Sequence, residues 1–86
     1  MKIPVYVVVV KHPNCNVPYI FKVPESKMLN PGDYVLCDTK KGQEEIARCV
    51  TPSFHITDDL IEKYYNVKPD TMKFITGVLR PFLFGT

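Results

Sequence analysis

From Leu29 to Val50 the chain reads LNPGDYVLCDTKKGQEEIARCV, a segment that leaves little choice of fold. Pro31-Gly32 fits the central positions of a type II turn, with Gly32 supplying the positive φ that the second of them requires. Asp33 to Thr39 then reads as a strand, Lys40-Lys41-Gly42 as a three-residue reversal closed by a left-handed glycine, and Glu44 to Val50 as the returning strand. A turn of that length sets the register, so Leu36 should face Ile46, Val35 should face Ala47 and Cys37 should face Glu45. A chain carrying this hairpin must build a sheet around it.

Eight prolines, at positions 4, 13, 18, 24, 31, 52, 69 and 81, cut the rest of the chain into short pieces. Proline cannot donate to a strand ladder and belongs at strand starts, edges and turns. Between these stops, Val5 to Lys11 is apolar at nearly every position and predicts a strand covered on both faces. HPNCNV, residues 12 to 17, is a polar turn leading to a second strand, Pro18 to Val23, with Tyr19, Phe21 and Val23 on one face. Thr57 is placed to cap a helix from Asp58 to about Tyr65, in which Asp58 and Asp59 suit the positive end of the dipole and Leu60, Ile61 and Tyr64 form an apolar face. The loop Asn66 to Thr71 stops that helix, and Met72 to Arg80, broken by Gly77, reads as a fifth strand. Phe82, Leu83 and Phe84 are too apolar to stand free in solvent and predict docking on the sheet or a contact with a partner.

Short antiparallel strands with little helix have an economical solution in a curled sheet closed into a barrel, which removes exposed edges. The expected fold is therefore mainly β: a five-stranded antiparallel barrel of SH3-like or OB-like kind with one short helix, in a single domain over residues 1–86. Such folds host unrelated activities, so the fold carries no function by itself.

Composition narrows the class. The apolar share of 45% with 23% charged residues is that of a folded globular chain. The longest apolar run, Val5 to Val10, is far below the roughly 20 residues needed to cross a bilayer, and no signal-peptide cleavage site follows it, so a cytoplasmic protein without membrane contact is expected. Cys15, Cys37 and Cys49 are odd in number and form no CxxC pair, which points to reduced thiols rather than a disulfide framework or a zinc site. The net charge of +2 is too mild for wrapping duplex DNA, although Lys11, Lys22, Lys27, Lys40 and Lys41 would form a basic patch if the strands brought them together.

Catalytic chemistry is sparse. His12 with Cys15 and Cys49 with His55 offer possible ligands, but their spacings match no established metal site. A Cys49–His55 nucleophile pair lacks an orienting carboxylate, and Asp58 and Asp59 are explained by the helix start. We expect no enzyme, no metal and no cofactor. The more useful constellation is aromatic and basic: Tyr6, Tyr19, Phe21, Tyr34 and Phe74 lie on strands that also carry Lys11, Lys22 and Lys73. Exposed rings stack on bases while cations follow phosphates in single-strand-binding barrels.

The order of an apolar strand, YIFKVPE, LNPGDYVLCDT, KKGQEEIARCV and MKFITGVLRPFLF resembles the N-terminal DNA 3′-end-binding domain of the bacterial primosomal replication-restart helicase, nearly end to end. In that family an aromatic-Asp-aromatic triplet on the second strand and a lysine at the start of the last strand hold a terminal nucleotide. The resemblance puts Tyr19-Ile20-Phe21 at the triplet and Lys73 at the lysine, with Ile20 standing where the family has aspartate. A weaker similarity is to PSP1-type domains, in the spacing of Gly32-Asp33, Val35, Thr39, Gly42, Ala47 and Val50. No GxxxxGK[ST] loop is present for a P-loop motor. The expectation is a non-enzymatic accessory protein of replication or of a mobile element. It would bind single-stranded or 3′-terminal nucleic acid through Tyr19, Phe21, Lys22 and Lys73, or contact a replication protein. The alternative is a protein-interaction adaptor working through Phe82 to Phe84 or an open strand edge.

Overall fold

The computed structural model describes residues 2–13, 15–24, 27–38 and 44–79. The Lys40–Gly42 reversal, Arg80 and the closing Phe82 to Phe84 lie outside the described residues. The elements are β1 (Pro4–Lys11), β2 (Tyr19–Lys22), β3 (Tyr34–Asp38), β4 (Glu44–Cys49), β5 (Phe54–Thr57), α1 (Asp58–Tyr65) and β6 (Ile75–Val78), with a 3-10 turn at Pro69–Thr71 before β6. The strands form one antiparallel six-stranded sheet in the order β2-β1-β4-β3-β6, with β5 also on β1.

The central hairpin forms as its sequence requires. Val35 faces Ala47, Leu36 faces Ile46 and Cys37 faces Glu45. Before it, Asp33 donates its backbone N–H to the Asn30 carbonyl (3.0 Å), and Gly32 holds φ at 92°, the conformation that position of a type II turn demands. The Asp33 carboxylate folds back to accept from the Asn30 N–H at 3.0 Å, which fixes the turn against β3.

β1 is buried on both faces, and this organises the core. Val8 and Val10 join Phe21, Val23, Leu29, Val35, Cys37, Ala47, Cys49 and Ile75 on one side. Val7 and Val9 join Ile20, Ile61 of α1 and Met72 on the other. The sheet thus curls around one cluster while α1 covers a second on its outer side. Full burial of a valine or isoleucine side chain stabilises by about 1.5–3 kcal/mol, so a strand that buries four in a row repays its lack of polar faces.

Three expectations change. Among the described residues there are six strands instead of five, because Phe54–Thr57 pairs with Pro4–Val7. Pro52 looks like the end of the pairing, yet the chain follows β1 first as β4, at Val10 and Lys11, and then as β5, with residues 50–53 bulging between them, where the N–H groups of Val50 and Thr51 both point to the Val9 carbonyl. Among the described residues the ladders do not complete a ring; the ends of the sheet meet at a bridge of Lys22 with Phe74. The Thr57 hydroxyl does not cap α1. The neighbouring Asp58 carboxylate is a charged and stronger acceptor, and its Oδ1 takes the N–H of Asp59 (2.8 Å) and of Ile3 (3.2 Å). The Thr57 hydroxyl bonds the Asp59 carboxyl instead and holds it below its ordinary pKa. Asn66, in the left-handed region at φ 57°, ends the helix by donating its N–H to the Glu62 carbonyl.

Ser53 ties the bulge to the loop before β3. Its hydroxyl donates to the Lys27 carbonyl (3.1 Å) and accepts from the Leu29 N–H (2.9 Å). With its one proton spent on Lys27, it must accept from Tyr6 across the 2.7 Å contact between the two hydroxyls. Ser53→Ala strands the Leu29 donor and the Tyr6 hydroxyl at once, and is expected to cost about 1–3 kcal/mol by urea denaturation.

Candidate nucleic-acid interface

β2 is an edge strand with two unlike ends. Phe21 turns into the main core and keeps only 8% of its surface exposed, whereas Tyr19, at the start of the strand after Pro18, remains 47% exposed. Position 20 is a core position as well, because Ile20 is 8% exposed and packs among Val7, Val9, Ile61 and Met72. An aspartate there would bury a carboxylate in an apolar cluster, which accounts for an isoleucine at the middle of the triplet.

The segment Met72 to Phe74 is clamped beside this edge. The Lys22 N–H donates to the Lys73 carbonyl at 2.9 Å, and the Asp38 N–H donates to the Phe74 carbonyl at 3.2 Å. Met72 is drawn into the second core cluster and Lys73 is left pointing to solvent. Distant segments, residues 19–21 and 71–73, thereby become two walls of one open groove of about 860 Å³. Tyr19, Phe21 and Lys73 all line it, together with His12, Asp38 and Glu45.

The His12 ring leans on both aromatics, with centroids 5.7 Å from Tyr19 and 6.0 Å from Phe21, the latter edge-on. Its Nδ1 lies 3.5 Å from the Ile46 carbonyl and 4.0 Å from Glu45 Oε1. The groove therefore carries charges of both signs, Lys73 on one wall with Asp38 and Glu45 also lining it. Phe21 serves as wall rather than open platform, since so little of its ring is free.

Lys22 lies next to the groove without lining it. Its side chain is on the opposite face of β2 from Phe21, where Nζ stands 5.4 Å from the centroid of the Phe74 ring, itself 47% exposed. The other strand aromatics are elsewhere: Tyr6 bonds Ser53 and stacks near His55 at 4.5 Å, and Tyr34 is exposed on the outer face of β3. His12 is the residue that sequence reasoning put in the wrong context. It was weighed with Cys15 as a ligand pair, and its contact with Tyr19 depends on how the 12–17 turn folds back, for which the residues carry no local signal.

The remaining candidates separate. Cys15 donates to the Val17 carbonyl at 3.6 Å, Cys49 is buried in the main core and His55 is exposed on β5. Among the described residues no three His, Cys, Asp or Glu side chains are grouped to hold a metal ion. No described helix is long and apolar enough to cross a membrane. Of the anticipated lysine patch, Lys40 and Lys41 lie outside the described residues, and Lys11 faces Arg48 across the sheet. No protein-family model, curated protein or solved structure matches the chain.

Proposed function

We propose that the chain binds single-stranded nucleic acid along the groove between β2 and residues 71–73, as a non-enzymatic accessory protein built on a curled, open sheet of SH3-like or OB-like kind. The observation that carries this reading is the exposure of Tyr19 and Lys73 on the walls of one groove. A base stacks on Tyr19, backed by His12, while Lys73 meets the adjacent phosphate. Asp38 and Glu45, which line the same groove, repel phosphate and offer acceptors to base amino groups. Lys22 and Phe74 extend the surface beyond the groove. Ile20 offers no acceptor for a terminal hydroxyl, so strands with free and with blocked 3′ ends should bind alike.

Fluorescence anisotropy of labelled oligo-dT at low and moderate salt tests this. Tyr19→Ala should weaken binding by about 5- to 100-fold, the range for loss of one stacked base. Lys73→Ala should lower the salt slope by about 0.7, the value for one single-strand phosphate contact. Absence of binding at micromolar protein, or affinities indifferent to both substitutions, would refute the reading. An adaptor function is favoured by one observation, the exposure of Tyr34 (41%) and Ile46 (47%) on the outer face of β3 and β4. In that case strand binding is absent and Ile46→Asp abolishes partner contact.

A further inference from the structure

A second feature lies on the outer face of the sheet, sharing no lining residue with the groove. Lys11 of β1 and Arg48 of β4 stand directly opposite one another in the ladder, and both are exposed. Like charges at facing positions of an antiparallel pair repel and destabilise it. Among the described residues neither cation has a carboxylate at ion-pair distance, the one pair within 4.0 Å being His12 with Glu45. Arg48 also faces Tyr34 on its other side, so the guanidinium is flanked by an exposed ring and an ammonium.

The two cations border a cleft of about 350 Å³ whose other walls are Pro31, Gly32, Cys49 and Val50. The turn supplies its floor. A Cβ added at Gly32 would stand 3.9 Å from Arg48 Nη2, so the bare backbone lies close beneath the guanidinium. The Gly32 N–H is already given to the Cys49 carbonyl (2.9 Å), which leaves the donors of the cleft to the two side chains. Two donors of fixed positive charge, held at neighbouring positions by the ladder and with no acid among the described residues at ion-pair distance, match a tetrahedral oxyanion. The guanidinium fork takes two oxygens and the ammonium a third.

We propose that Lys11 and Arg48 form a seat for a phosphoryl group, either a phosphodiester of a strand or a free phosphate. The anion relieves the cross-strand repulsion, and the seat does not depend on the groove's binding a strand. The test is a nitrogen–proton correlation titration of the whole chain with sodium phosphate against sodium chloride at matched ionic strength. Phosphate should shift the Arg48 Nε–H and the amides of Lys11, Gly32 and Arg48, with half-saturation in the millimolar range, and raise the melting temperature of the wild type. Both effects should vanish in Lys11→Gln and in Arg48→Gln and persist in Tyr19→Ala. Because both substitutions remove one of two repelling charges at exposed positions, the variants should melt no lower than wild type without phosphate. Oligo-dT and its uncharged methylphosphonate analogue identify the source: a strand phosphate gives the same shifts with the first and none with the second, a free phosphate gives them with neither. Shifts no larger than those in chloride with both phosphate and oligo-dT, or full retention in Arg48→Gln, would overturn the proposal.

Discussion

Leu29→Ala is expected to remove about 2–5 kcal/mol of stability, a large part of what a domain of this size possesses. Leu29 has no exposed surface and fills the main core from a loop rather than from a strand. Its backbone is pinned on both sides, the N–H to Ser53 Oγ at 2.9 Å and the carbonyl accepting from the Ser53 N–H at 3.1 Å. The loop therefore cannot move inward to fill the space that the lost methyls leave, and the cavity persists. In urea denaturation the midpoint should fall with the slope unchanged, since the surface exposed on unfolding is nearly the same. A loss below about 1 kcal/mol would mean that the loop collapses freely, and that its ties to the β4–β5 bulge are weaker than their geometry indicates.

The second large effect is a loss of stability in alkali. Cys37 is completely buried, and burial, with the adjacent Cys49 thiol and the Glu45 carboxylate, pushes its pKa from the ordinary 9.0 up to about 12. Between those values the unfolded chain has given up the Cys37 proton while the folded chain keeps it. Fewer protons bound in the unfolded state means that stability falls as pH rises, by about 1.4 kcal/mol per unit, and that this group contributes no pH dependence well below pH 9. Tyrosines and lysines titrate in the same range, so the clean measurement is a difference. Urea melts of wild type and Cys37→Ala at pH 8, 9, 10 and 10.5 should show the wild type's advantage shrinking steadily above pH 9. A gap that stays constant with pH would contradict this account of the thiol.

Much of the fold was written in short-range signals. The β3–β4 register follows from the length of one turn, the burial of both faces of β1 from its unbroken run of apolar residues, and the start of α1 from two aspartates, although of the expected apolar face only Ile61 is buried and Tyr64 is exposed. Interactions between distant segments were not readable. β5 was missed because Pro52 and Ser53 carry the composition of a loop, and only the pairing of Phe54–Thr57 with the start of β1 makes them a bulge. Lys11 was seen as one of several lysines, and its meeting with Arg48 required knowing that β1 lies beside β4. Tyr19 and Phe21 look equivalent in sequence, being two residues apart on one strand face. They differ because Tyr19 lies at the strand's open end while Phe21 is enclosed by the sheet's curl. The pairing of Tyr19 with Lys73 came only from resemblance, and in the fold it rests on the backbone bond from Lys22 to the Lys73 carbonyl.

The same physical view explains the balance at position 20. An acceptor there would serve a ligand, but the side chain at that register points into the cluster that fastens α1 and Met72 to the sheet. On the proposed function, strand binding without an acceptor would rest on stacking and charge, both tolerant of sequence, and is expected to be salt-sensitive with little base preference.

The most direct test of that central claim is a residue-resolved titration of the chain with unlabelled oligo-dT. The account predicts that a contiguous set of amides shifts along the groove, led by Tyr19, Ile20, Met72 and Lys73, with smaller changes at His12. Shifts absent from all of these positions at saturating oligo-dT, or confined to the outer face of β3 and β4, would contradict it.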